Sequence, residues 1–305
     1  MSAAHAFTLQ CSHSVFPPLP SLALTDPTMP LQMVTIEGNV GSGKSTIALH
    51  ISKQMPDCKL FPSPSRKANP HWKAFQADPK ANALAMQLWF LKERLRVYVK
   101  ALEHMEAARE SVILDFSVWS DIIFAVHHHH QRLITTEELG SYMSAWKAVE
   151  ALALPPPHLT IVLHANPSVC LQRSEALDAL QSPQSRTPRR WSKEDGEAYL
   201  EQINTLLKQR WLRDVESVVT PKWLAGERVA ADAPGIPAAP SKEVLVRDWS
   251  DLAKVSPKVL VDAIFCTNPS DFRSWLSPFR DNADRVAALI ERLSDTDTTG
   301  PVGLT

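Results

Sequence analysis

The run Gly38-Asn39-Val40-Gly41-Ser42-Gly43-Lys44-Ser45 has the residue types and spacing to hold a polyphosphate. Its glycines let the backbone curl, so that successive N–H groups and the N-terminus of a following helix face phosphate oxygens. Lys44 adds a mobile cation, Ser45 a hydroxyl of the kind that binds Mg²⁺, and Thr46 continues the turn into the helix. Such a loop works only between a strand and a helix. Met33 to Glu37 is β-prone, and Ser45 to Met55 carries Ile47, Ala48, Ile51 and Met55 at helical spacing, so both flanks are in place.

A second set of polar residues lies on what reads as one long helix, Ala81 to Ala108, whose apolar stripe is Leu84, Leu88, Leu91, Leu95 and Leu102. Gln87 and Arg94 are seven residues apart, close to two turns, and project from one face. An amide supplies a donor and an acceptor, a guanidinium a fork of donors, and Asp121 further along could add an acceptor; together they could pair with the edge of a flat heterocycle. Read from the residues alone, a solvated face with a surface ion pair is the favoured reading. Asp115 closes a short buried strand, Val112 to Leu114, at the end where parallel α/β sheets place ligands; a strand-terminating cap is the lesser alternative.

The elements that position these groups alternate. Strands are predicted at Met33–Glu37, Lys59–Phe61, Val112–Leu114, Leu159–Leu163 and Val244–Val246. Helices are predicted at Ser45–Met55, Ala81–Ala108, Val118–His130, Thr136–Leu152, Pro167–Leu180 and Lys193–Val215, then near Pro257–Ile264 and at Asp281–Leu293. Apolar strands separated by helices imply a parallel sheet covered on both faces. The organisation expected is a flexible leader over 1–32, an α/β domain over 33–250 with a Pro- and Ala-rich insertion near 221–241, a helical extension over 251–294 and a disordered tail over 295–305.

Composition narrows the function classes. With 32 Lys and Arg against 33 Asp and Glu, the net charge is −1, so there is no overall cationic field for nucleic acid or anionic membrane. The nine tryptophans follow no basic stripe and read as core and pocket walls rather than stacking platforms. Cys11, Cys58, Cys170 and Cys266 form no CxxC pair, which points to buried thiols in a reducing compartment. The residues from His127 to His130 would spread around a helix and cannot share one ion. No apolar run is long enough to span a bilayer. The first 32 residues contain no Lys or Arg, so neither a secretory n-region nor an Arg-rich presequence is present; a cytoplasmic protein is expected, with mitochondrial import left open.

Three segments resemble the deoxynucleoside kinases. Ile36 to Thr46 is similar to the family's I-E-G-N-x-x-x-G-K-S-T loop, Asp115-Phe116-Ser117-Val118-Trp119-Ser120-Asp121 to its E-R-S-V-Y-S-D segment, and Gln87 with Arg94 to its Q-x6-R spacing. The resemblance spans about residues 33 to 250. It implies a P-loop fold of five parallel strands in the order 2-3-1-4-5, with ATP and Mg²⁺ as cofactors and a nucleoside as substrate. It also allows a homodimer. It further implies that Gln87, Arg94 and Asp121 read the base, that Lys44 meets phosphate, and that Asp115 and Ser45 hold the metal. Transfer of the γ-phosphate of ATP to a 5′-hydroxyl is the activity implied.

Departures from the pattern bear on catalysis. Where the family has Glu between two prolines after its second strand, this chain has Ser63, and a hydroxyl is no general base near neutral pH. Phe116 stands where the family has Arg, removing a cation. Arg186, Arg189 and Arg190 are candidates for its phosphate-clamping lid, Arg189 foremost; a basic surface loop is the alternative. Glu197 lies near the family's sugar-binding Glu, one residue out of register with Ala198. The expectation is therefore a nucleoside kinase with impaired catalysis or, alternatively, an inactive nucleotide-binding scaffold or accessory subunit.

Overall fold

Every residue of strand β1 (Met33–Gly38) is buried, as a central strand covered on both faces requires. The computed structural model describes residues 30–55, 57–181, 193–211, 243–248, 250, 260–261, 264 and 271–299. Around β1 lie β2 (Cys58–Phe61), β3 (Ser111–Asp115), β4 (Leu159–His164) and β5 (Glu243–Asp248), all parallel, in the order β2-β3-β1-β4-β5. The registers pair Ile36 with Asp115 and Gly38 with Leu163, so the loop after β1 and the carboxyl end of β3 open on the same edge.

Alternation along the strands builds two cores. Val34, Ile36, Ile113, Leu159, Ile161 and Leu163 face helix α1 (Lys44–Gln54), which buries Ile47, Ala48 and Ile51. Met33, Val112, Leu114 and Val162 face the other way, toward α3 (Pro79–Ala108). This helix of 30 residues, about 45 Å long, starts where Asp78 accepts from the Ala81 N–H and Pro79 occupies the first turn.

Helix α4 (Asp121–His130) begins later than its periodicity predicts: Val118–Ser120 form a single 3₁₀ turn, and α4 opens on Asp121, whose carboxylate favours the positive end of the helix dipole. Helix α5 (Thr136–Glu150) carries a full capping box between Thr135 and Glu138, worth about 1 kcal/mol. The predicted helices from Pro167 and from Lys193 appear as α6 (Pro167–Gln181) and α7 (Lys193–Trp211). A short helix α2 (Trp72–Ala77) was not evident in the sequence, since six residues show no period.

At the C-terminus a helix α8 (Phe272–Asp281) precedes α9 (Ala283–Thr299). The sequence hides α8 because Pro278 lies inside it. Proline leaves the Ser274 carbonyl without its helical donor, and the Ser277 hydroxyl donates there instead at 3.1 Å. Residues 295–299, expected in a disordered tail, extend α9, continuing a helix already anchored by buried Val286, Leu289 and Leu293. Both helices clasp the chain's middle. Arg280 pairs with Glu106 of α3 at 2.6 Å, Arg96 donates to Ser294 at 2.9 Å, and Trp275 donates to the Pro156 carbonyl at 2.9 Å.

Most of the leader, all of the 221–241 insertion and the last six residues of the tail lie outside the described residues. Gln32, at the leader's end, is buried and donates to the Ile264 carbonyl at 2.9 Å. Among the described residues, no helix is long and apolar enough to cross a membrane.

Candidate active site

The loop between β1 and α1 is held by α6 and α7. Gly43 caps α1 in the left-handed region at φ 97°, and Gly41 sits at φ 75° so close to α6 that a Cβ there would lie 2.1 Å from the Cys170 carbonyl oxygen. Asn39 is wholly buried; its amide donates to the Leu200 carbonyl at 2.6 Å and to Asn204 at 2.8 Å, while its Oδ1 accepts the Val40 N–H at 2.8 Å. The Arg173 guanidinium donates to the Ser42 carbonyl at 3.3 Å. Ser42 is buried, while Ser45 and Thr46 are exposed on the first turn of α1. Lys44 Nζ donates to the Asn39 main-chain carbonyl at 2.6 Å.

Charge is concentrated where β1 and β3 end. Burial lowers the Lys44 ammonium below its ordinary value, opposed chiefly by the Asp115 and Glu37 carboxylates. Glu37 has no exposure and accepts the Ser117 N–H at 2.9 Å; burial pushes its carboxyl up, against the Ser117 and Ser120 hydroxyls and the Lys44 charge. Asp115 is buried, and its Oδ1 has no hydrogen-bond partner among the described residues. An unpartnered carboxylate oxygen on Asp115, whose charge acts on Lys44, and the Ser45 hydroxyl next to that lysine on the first turn of α1 are donors of the kind that fit a hard divalent cation.

Gln87, Arg94 and Asp121 come together. Gln87 Nε2 donates to Asp121 Oδ2 at 3.0 Å, Arg94 donates to Asp121 Oδ1, and Tyr142 of α5 donates its hydroxyl to Oδ2 at 2.6 Å. The Asp121 side chain is 0% exposed, so it meets a ligand only through its neighbours. Burial lowers Arg94 to about 10, partly offset by Tyr142, Glu37 and Asp115, and burial raises the Tyr142 phenol. The rings of Phe90, Phe116 and Phe124 surround the Arg94 guanidinium at 5.0, 4.8 and 5.6 Å.

Phe116 adopts φ 71°, a left-handed conformation that a bulky side chain seldom takes. Its ring also lies 5.5 Å from Lys44 Nζ. Ser63 is half-buried in the irregular segment after β2, and Glu197 is half-buried on α7 with Ala198 exposed beside it. Arg186, Arg189 and Arg190 lie outside the described residues. Tyr142, Glu37 and Arg173 belong to the constellation without having been singled out from sequence. A carboxylate inside the apolar run Met33–Gly38 was a signal for Glu37, whereas Tyr142 reaches the site from a helix with no motif.

The family model for deoxynucleoside kinase matches residues 34–228, more than half the chain. A deoxyguanosine kinase of Dictyostelium discoideum is 32% identical over 145 residues, 47% of this chain and 49% of the relative. A Bos taurus protein, NADH dehydrogenase (ubiquinone) 1 alpha subcomplex subunit 10, mitochondrial, is 28% identical over 149 residues, 43% of each chain. The chain thus spans about half the length of these curated relatives. Among solved structures, deoxyadenosine kinase from M. mycoides with bound dATP superposes with a TM-score of 0.50 at 20% identity, covering 76% of this chain and 96% of that one, which speaks to the fold.

Proposed function

Because the chain belongs to the deoxynucleoside kinase family, we propose that it binds ATP with Mg²⁺ and transfers the γ-phosphate to the 5′-hydroxyl of a deoxynucleoside, with an impaired chemical step. The observation that carries this reading is the place of Phe116. One ring borders both Lys44, at 5.5 Å, and the Arg94 that binds Asp121, at 4.8 Å. The phosphate loop and the candidate base-reading group therefore share a wall, as transfer between two bound substrates requires.

In this reading the N–H groups of Gly38–Thr46 and Lys44 hold the phosphates, and Asp115 with Ser45 would hold the metal. When bound, Mg²⁺ would neutralise charge on the phosphoryl oxygens. Gln87 and Arg94 orient the base under the control of Asp121, Glu197 is a candidate for the sugar, and Arg189 for the closing lid. Ser63 offers no carboxylate to receive the 5′-hydroxyl proton, and general acid–base assistance of this kind contributes about a hundred- to ten-thousandfold. Phe116 adds no charge to the transferring group. Binding is retained while the rate is low.

A second reading, a nucleotide-binding accessory subunit without turnover, is favoured by the same two residues. It accords with the bovine relative's name as a subunit of NADH dehydrogenase, and would place the protein in mitochondria rather than the cytoplasm. Transfer of labelled γ-phosphate across a panel of deoxynucleosides separates the two. Slow formation of a 5′-monophosphate supports the kinase, and binding of ATP and nucleoside with no product over many hours supports the subunit.

A further inference from the structure

One face of α7 touches both halves of the candidate site. The steps from Leu200 to Asn204 and from Asn204 to Trp211 are close to one and two helical turns, so the three residues project from one side over about 16 Å of helix. At the near end of this stripe, the Leu200 carbonyl and Asn204 Oδ1 both accept from the Asn39 amide nitrogen, at 2.6 and 2.8 Å. Asn204 is fixed in turn, because its own amide nitrogen donates to the Ala165 carbonyl just past β4 at 3.3 Å. With its nitrogen so held, Asn39 turns Oδ1 to the Val40 N–H at 2.8 Å, and its main-chain carbonyl accepts from Lys44 Nζ at 2.6 Å. At the far end, Arg210 Nε donates to the Trp119 carbonyl at 2.8 Å, and Trp211 Nε1 donates to the Ser120 hydroxyl at 2.8 Å. Ser120 directly precedes Asp121, and Asn204, Arg210 and Trp211 are all buried.

We propose that Asn204 and Trp211 are positioning residues for two different substrates, Asn204 acting on ATP through Asn39 and Trp211 on the deoxynucleoside through the Val118–Ser120 turn. Neither side chain meets a ligand; each holds the main chain that does. A buried amide left without its partner finds no water to replace it, so loss of Asn204 frees Asn39 and loosens the first turn of the Gly38–Thr46 loop and the Lys44 it holds. Loss of the Trp211 N–H frees Ser120 and with it the start of α4, where Asp121 sits. Because both anchors belong to one helix, α7 also fixes the separation of the two sites, on which transfer between bound substrates depends. The inference rests on the function proposed above.

Titration calorimetry of the full chain, with ATP-Mg²⁺ and separately with the best-bound of a panel of deoxynucleosides, tests it. Asn204→Ala is expected to weaken ATP-Mg²⁺ about tenfold and to leave the nucleoside unchanged. Trp211→Phe, which keeps an aromatic ring but removes the N–H, is expected to do the reverse, weakening the nucleoside about tenfold and leaving ATP-Mg²⁺ unchanged. Asn204→Ser retains a short acceptor for the Asn39 amide and should recover part of the lost ATP affinity; it is compared directly with wild type where Asn204→Ala does not fold. General damage to the fold would not divide the two ligands in this way. Variants that weaken both ligands equally, or that lower the melting temperature while binding both as wild type does, would show that α7 only supports the fold, and overturn the proposal. A wild type that fails to bind either ligand refutes the proposed function instead, and the inference falls with it.

Discussion

The Arg94 guanidinium lies 4.8 Å from the centroid of the Phe116 ring, whose centroid is also 5.5 Å from Lys44 Nζ. Two cations thus approach one uncharged aromatic surface, an arrangement worth about 0.5–2 kcal/mol for each contact. The ring occupies the junction between the Gly38–Thr46 loop and the polar cluster around Asp121. It is kept there by a backbone that other residues would adopt more easily.

That backbone makes the first prediction. At φ 71° glycine is unstrained, while alanine and phenylalanine are not. Both truncations lose a buried ring, so both destabilise. Phe116→Gly should nevertheless melt at or above the temperature of Phe116→Ala, by about 0.5–1 kcal/mol of stability. Thermal unfolding followed by circular dichroism would show the order; a markedly less stable glycine variant would mean that the strain is absent.

Nucleotide binding should depend on Lys44 whether or not phosphate is transferred. Lys44→Ala is expected to weaken ATP-Mg²⁺ by at least about tenfold in calorimetry, the loss of one charge-assisted contact. Equal affinities for wild type and variant would show that the loop does not hold the polyphosphate.

His127 should make the fold sensitive to mild acid. Burial, with a smaller contribution from His130, lowers its pKa to about 4, against 6.5 for an unperturbed group. Between these values the unfolded chain takes up the proton and the folded chain does not. The stability is therefore fully present above pH 6.5 and is lost as pH falls toward 4, by at most about 3 kcal/mol. His127→Phe, which keeps a ring against Tyr199, should reduce the drop in urea midpoint between pH 7 and pH 5. An unchanged drop would place the acid sensitivity elsewhere.

The C-terminal helices should act as part of the domain. Trp275, Leu276, Phe279, Val286, Leu289 and Leu293 are buried in the same core as Leu91, Leu95 and Leu102 of α3. Trp275 also stacks on His158, whose Nδ1 accepts the Met33 N–H at the start of β1. Trp275→Ala is expected to cost about 3–5 kcal/mol and to lower the denaturation midpoint accordingly. A change under 1 kcal/mol would show that the extension packs loosely.

The parallel α/β arrangement was legible because its strands are short apolar runs and its long helix has an unmistakable stripe. The turn Gly38–Thr46 between β1 and α1 was legible because its glycines and flanks are local signals, carried by residues adjacent in sequence. Gln87 and Arg94 could be paired from helical spacing alone, but their meeting with Asp121 is a tertiary contact that only the family resemblance suggested. Tyr142 was invisible because nothing local distinguishes a tyrosine that packs from one that donates to a buried carboxylate 21 residues away. The helix Phe272–Asp281 was missed because a proline penalises local propensity, while burial of Trp275, Leu276 and Phe279 decides the outcome.

The measurement that bears most directly on the proposed function is the turnover number for γ-phosphate transfer to the best-bound deoxynucleoside, compared between wild type, Ser63→Glu, Phe116→Arg and the double variant. If the chain is a kinase weakened by the loss of a proton acceptor and a cation, wild type turns over well below the roughly 1 to 100 per second of ordinary kinases, and Ser63→Glu raises the rate. The double variant should gain more than either alone, because both groups act on one transition state. Wild-type turnover already within the ordinary range, left unchanged or reduced by Ser63→Glu, would contradict the account.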